Sequence, residues 1–146
     1  MQHRNRWMIV VLILAALLLA ACAQTPAKAS KVEPAKVEPI EGSDFKRVTL
    51  TEKAAQRLDV QTAPVRNEEV DGAQRLVVPY AAVLYGLQGE TWAYTNPEPL
   101  VFVRYPIDVD HIEGDLAILL EGPPVGTAVV TLGGAELYGA EVGVSK

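Results

Sequence analysis

Chemistry needs nucleophiles, acids, bases or metal ligands gathered in one place, and this chain offers few. Its serines are Ser30, Ser43 and Ser145, two in a polar proline-bearing stretch and one at the C-terminus. No Ser/His/Asp arrangement can be built from them on a folded core. The histidines are His3, near the N-terminus, and His111. Asp108-Val-Asp110-His111-Ile-Glu113 is the one polar cluster of ligand-type residues, and it makes Asp108, Asp110, His111 and Glu113 the metal candidates. One imidazole among carboxylates at irregular spacing does not close a coordination sphere, so the stretch reads first as an acidic turn between two strands. Copper(I) wants soft ligands, yet Met1 and Met8 both lie in the apolar leader and the one cysteine, Cys22, follows directly after it. Gly133, Gly134, Gly139 and Gly143 match neither GxGxxG nor a P-loop and its lysine, and read as turn and bulge glycines. Trp92, Tyr94, Tyr85, Phe102, Tyr105 and Tyr138 could line a groove, although strand aromatics more often form core and cross-strand pairs. The residues imply no enzyme and no cofactor.

The N-terminus carries a different signal. Arg4 and Arg6 precede an unbroken apolar run over residues 7–21, with no acidic residue before it. Fifteen residues are short for a bilayer span, which needs about 20. A basic start, a short apolar core and small residues at its end describe a signal peptide over residues 1–21. Leu19-Ala20-Ala21-Cys22 resembles the lipobox of bacterial lipoproteins. That resemblance implies cleavage between Ala21 and Cys22, and a diacylglyceryl group on the Cys22 sulfur. Two acyl chains suffice for stable anchoring, each buried CH₂ adding about 0.8 kcal/mol. The expected partner at this end is therefore membrane lipid, on the extracytoplasmic face of the cell membrane or of an outer membrane. Ala23 stands where an aspartate would signal inner-membrane retention.

Residues 22–45 have no hydrophobic period. They contain a pentad written twice, Ser30-Lys-Val-Glu-Pro34 and Ala35-Lys-Val-Glu-Pro39. Prolines at this interval oppose both helix and ladder, so the stretch reads as a flexible tether. Roughly 20 such residues reach about 60 Å when fully extended.

Residues 46–146 are enough for one small domain with one core. Of 13 basic residues, removal of Arg4 and Arg6 leaves 11 against 18 acidic ones, a formal charge of −7. Between residues 76 and 144 the only Lys or Arg is Arg104. Without a basic patch, nucleic-acid binding is excluded as a function class. A short strand around Val48 and Leu50 leads to Thr51, which can cap a helical turn over residues 52–58. Residues 60–65 form a second strand whose Pro64 suggests an edge. Residues 68–72 read as a turn. The longest strand-like stretch, residues 77–99, reads as a strand pair around a glycine turn, closed by Asn96, Pro97 and Pro99. Residues 100–109, 115–120 and 127–132 are further strands, with Pro106 interrupting the first and turns over 110–114 and 121–126. Residues 134–138 can be helical. Short strands separated by Gly/Pro turns predict a mainly β fold, a small antiparallel roll or barrel-like domain with one short helix.

Several of these segments resemble short landmarks of one family. Residues 48–65, VTLTEKAAQRLDVQTAPV, are similar to the N-terminal segment of periplasmic adaptor subunits (membrane fusion proteins) of resistance-nodulation-division efflux pumps. Val78-Pro-Tyr-Ala-Ala-Val83 looks like the family's Val-Pro-x-x-Ala-Val strand, and residues 121–135, EGPPVGTAVVTLGGA, resemble its closing segment, with Ala140-Glu141 at the usual end. In the family a helical hairpin, two lipoyl halves and a β-barrel separate these segments. Here only 12 residues lie between Val65 and Val78. The resemblance thus implies the membrane-proximal domain alone, a β-roll made from both chain ends that lies against the transporter. The expected function is a non-enzymatic, lipid-anchored domain contacting a transporter or another envelope protein. The alternatives are a metal- or solute-binding lipoprotein using His111 and its carboxylates, and a structural envelope lipoprotein.

Overall fold

The computed structural model describes residues 33–143, so Ala21, Cys22 and the apolar leader lie outside the described residues. The fold is mainly β, with antiparallel sheets and two short helices. Strands β1 (Ala35–Pro39) and β2 (Lys46–Leu50) come first, then helix α1 (Glu52–Leu58). Strands β3 (Gln61–Pro64), β4 (Arg66–Val70) and β5 (Ala73–Pro79) follow. After a 3-10 turn over Tyr80–Ala82 come β6 (Leu84–Tyr85), β7 (Thr91–Glu98), β8 (Val101–Pro106), β9 (Asp108–Glu113), β10 (Leu116–Glu121) and β11 (Ala128–Leu132). Helix α2 (Gly134–Val142) closes the described chain. One sheet has the order β1-β2-β8-β7-β11-β3, with β6 also paired to β7; the other has the order β4-β5-β10-β9.

Strand β7 shows how the layers stack. Ala93 belongs to a core cluster with Val78, Ala117 and Leu119 of the smaller sheet, and its neighbour Tyr94 belongs to a second cluster with Ala54 and Leu137 of the helices. Val129 and Val130 divide in the same way on β11. Because successive strand residues face opposite sides, the larger sheet is covered on one face by the smaller sheet and on the other by α1 and α2. A strand buried on both faces reads as a continuous apolar run rather than an alternation.

The chain passes between sheets at two matching points. Pro64 ends β3 and Val65 leads into β4; Pro106 ends β8 and Ile107 leads into β9. Proline lacks the N–H that would extend a ladder, so each proline ends its strand where the chain leaves the sheet. Val65 and Ile107 are both buried in the core between the sheets. The corners are pinned by backbone bonds: the Val65 N–H donates to the Thr127 carbonyl at 2.9 Å and the Ile107 N–H to that of Thr91 at 3.1 Å.

Helix α1 forms as its sequence predicts: the Thr51 hydroxyl accepts from the Ala54 N–H at 3.2 Å, and Asp59 caps the other end in the left-handed region. Other expectations are corrected. The tether over residues 22–45 ends before β1, because Ala35–Pro39 pairs with β2, Val37 opposite Val48. Prolines at the rim of an edge strand leave its inward ladder intact. The turn at 68–72 narrows to Asp71 and Gly72, both with positive φ, which join β4 to β5 as a two-residue hairpin. The strand pair within 77–99 is divided between sheets: β5 pairs with β4 and β10, and only Leu84 and Tyr85 meet β7. Its closing turn also shifts, since β7 runs on to Glu98 past a register break and the chain reverses at Leu100, with φ 64°. The acidic turn at 110–114 is strand β9 as far as Glu113, and α2 runs four residues beyond the expected helix end at 138.

Candidate functional site

The candidate metal residues lie on β9, an edge of the smaller sheet. Register places Ile118 opposite His111 and Leu119 opposite Val109, so Asp110 is the extra residue of a bulge. The Asp110 carboxylate accepts from Arg75 of β5 at 2.5 Å, and His111 Nδ1 lies 3.3 Å from the same oxygen. Asp108 is opposite Glu121 on β10, and Glu113 is opposite Leu116 beside the Gly114 turn. The strand therefore spreads the four residues along an exposed edge and pairs Asp110 with a guanidinium. Among the described residues, no three of His, Cys, Asp and Glu converge on a metal-sized site.

The groups that do converge are ones whose partnership the sequence hides. Register sets Tyr94 of β7 opposite Arg104 of β8, on the face that meets the helices. Glu141 follows Leu137 by one turn on α2 and is buried with it. Arg104 donates from Nε to Glu141 Oε2 at 2.9 Å and from Nη2 to Oε1 at 2.8 Å. Tyr94 donates its hydroxyl proton to Oε2 at 2.5 Å, and the Lys46 N–H donates to Oε1 at 3.2 Å. Four donors thus satisfy a carboxylate whose side chain is 1% exposed. Burial first, and Glu141 beside it second, hold the Tyr94 hydroxyl protonated far above its usual ionisation.

Aromatic rings enclose the guanidinium. Its carbon lies 4.8 Å from the ring centroids of Phe45 and Trp92 and 5.3 Å from that of Tyr138. Such cation–π contacts strengthen as water is removed. Trp92 Nε1 is buried without a hydrogen-bond partner among the described residues. The cluster engages both oxygens of Glu141 and sets Arg104 among three rings. It fastens α2, the sheet and the residues just before β2 to one another. Arg104, as the lone basic residue of an otherwise apolar strand, was the sequence signal that a buried acid must exist. Which acid it was depended on packing.

The surface has other features. Tyr80, Tyr85 and Leu87 are exposed within eight residues, Leu87 fully so, at the tip of a turn held by the Gly86 N–H donating to the Glu90 carbonyl at 2.8 Å. Between the sheets lies an open hollow of about 630 Å³, bordered by Leu76, Tyr105, Leu120 and the carboxylates of Asp108 and Glu121. No helix of the described residues is long and apolar enough to cross a membrane.

No family model and no curated protein matches the chain. Among solved structures it is similar to an NMR structure of 180 residues encompassing the N-terminal metal-binding site and the membrane-proximal domain of SilB from Cupriavidus metallidurans CH34. The identity is 27% and the TM-score 0.45, and the match covers 53% of this chain and 42% of that one, less than half of the matched structure's length.

Proposed function

We propose that this protein is a lipid-anchored, extracytoplasmic binding domain of efflux-adaptor type. Acyl chains on Cys22, exposed by cleavage after Ala21, hold it to a bilayer. Residues 23–34 carry it clear of the lipid, and its β domain contacts a membrane transporter or another envelope protein. It acts by binding and holds no cofactor.

The observation that carries this function is a strand pairing. In the adaptors that the sequence resembles, the leading and closing segments lie at opposite ends of a long chain and meet in the membrane-proximal roll. Here β3, from the leading segment, lies antiparallel to β11, from the closing segment, with Ala63 opposite Val129. Val78, Ala82 and Val83 of the Val-Pro-x-x-Ala-Val strand sit in the core beside them. The domain is thus closed without a hairpin, lipoyl halves or barrel between its two ends, so reach toward an outer-membrane channel is not part of the proposed function.

Two experiments test it. Cys22→Ala should move the protein from the membrane fraction to the soluble extracytoplasmic fraction, and retention in the membrane would refute the anchor. Co-purification of the wild-type chain from detergent-solubilised membranes should recover a transporter or envelope-protein subunit in stoichiometric amount. Recovery of the chain alone, under conditions that keep known membrane complexes whole, would refute the contact.

A further inference from the structure

The hollow between the sheets joins an apolar lining to a charge that the chain leaves unanswered. Its buried lining comes from Ile107 and Leu76, which pack in the core between the sheets. Tyr105 and Leu120 border it while staying 39% and 58% exposed. Asp108, the first residue of β9, stands directly opposite Glu121, the last of β10, and both are exposed. Like charges so opposed start about 5 Å apart and repel across the ladder. Neither carboxylate has an ion-pair partner among the described residues. Arg75 is committed to Asp110 instead, and Arg104 to Glu141. The fold therefore holds an unfavourable pair at the mouth of an apolar hollow, where a cation from outside would relieve it.

We propose that this hollow is the docking site for an arginine side chain of the envelope protein that the domain contacts, an inference that rests on the contact proposed above. A guanidinium offers five donors in a fixed fork and can serve both carboxylates at once, whereas an ammonium is a single point charge. Its planar face suits the Tyr105 ring, and its methylene stem suits Leu76 and Leu120.

That the hollow is open argues for a side chain over a free small molecule. Pockets for small ligands bury about 70–90% of the ligand, and here Tyr105 and Leu120 stand partly in solvent. A side chain that projects from a larger surface has the rest of that surface to cover the rim. A metal ion is a poorer occupant. Two carboxylates leave most of its coordination sphere open, and among the described residues no third ligand joins them.

Three measurements on the full-length chain in nonionic detergent test the assignment. Titration with the peptide acetyl-Leu-Arg-Leu-amide should shift the methyl NMR signals of Leu76 and Leu120. The same peptide with neutral citrulline in place of arginine should bind about tenfold more weakly, as should the arginine peptide on the Asp108→Asn, Glu121→Gln chain. No shift at Leu120, or equal binding of the two peptides, would overturn the proposal. So would calcium chloride or methylguanidinium chloride moving those signals as far as the arginine peptide does, since the hollow would then belong to a small cation. The double variant should unfold in urea at a midpoint no lower than that of the wild type, because it removes a repulsion. A lower midpoint would assign the pair to the fold and remove the argument for docking. Finally, in co-purification the double variant should recover about tenfold less of the envelope protein held by the wild type. Equal recovery would overturn the arginine site and leave the contact standing. Recovery of nothing by the wild type would refute the contact itself, and with it the protein source of the arginine.

Discussion

A glutamate in the last turn of a helix faces the negative end of the helix dipole, and Glu141 is in addition almost wholly buried. Both costs are offset by the bidentate guanidinium of Arg104, the Tyr94 hydroxyl and the Lys46 N–H. Removing one partner leaves an uncompensated buried charge, which costs about 3–5 kcal/mol. Glu141→Ala and Arg104→Ala should each lose that much stability in urea titration. The paired change Arg104→Met with Glu141→Leu should recover most of it, because neither charge is then stranded. Tyr94→Phe removes one bond to a charged acceptor and should cost about 1.5–3 kcal/mol. The same residue sets an alkaline limit. Its folded-state ionisation lies above the usual 10.0. Above that pH the unfolded chain has released the phenolic proton while the folded protein keeps it, so stability falls as pH rises. Tyr94→Phe should flatten that fall in an alkaline stability profile.

At the scale of elements, the join between β11 and α2 requires a glycine. Gly133 has φ 91°, and a Cβ there would lie 3.1 Å from Val60 Cγ2. Gly133→Ala should cost about 1–3 kcal/mol by thermal unfolding, for backbone strain with added crowding. The helices and strands themselves were largely legible in the sequence. Thr51 and Asp59 bound α1 as their types predict, and β2, β3, β10 and β11 fall within a residue or two of their expected places. Strands form where the sequence predicts turns or tether, at β9, at the end of β4 and at β1. β9 is polar along its length, because one side of it is an exposed edge. β1 carries prolines that a central strand would not tolerate. In both cases the ladder to one neighbour outweighs intrinsic strand preference.

At the scale of the molecule, the two sheets are joined at two buried corners, where β3 runs into β4 through Val65 and β8 into β9 through Ile107. Residues 33–143 should therefore unfold in one step, with far-ultraviolet dichroism and tryptophan fluorescence giving coincident transitions. Ile107→Ala should lower the stability reported by both probes by the same amount, about 2–5 kcal/mol. A shift in one probe alone would mean that the sheets unfold separately.

What the sequence by itself determined is local and compositional: a mainly β fold, the cap of α1 and the positions of most strands. These follow from side-chain alternation, turn residues and short-range hydrogen bonding, which act within a few residues. Tertiary structure decided which strand meets which. It put β5 and β7 in different sheets, turned Pro64 and Pro106 into sheet corners, and joined Arg104 to Glu141 across 37 positions of sequence. Such pairings are set by burial shared between distant segments. A single apolar strand with one arginine states the need for a partner, and only the packed chain supplies the one that reaches it.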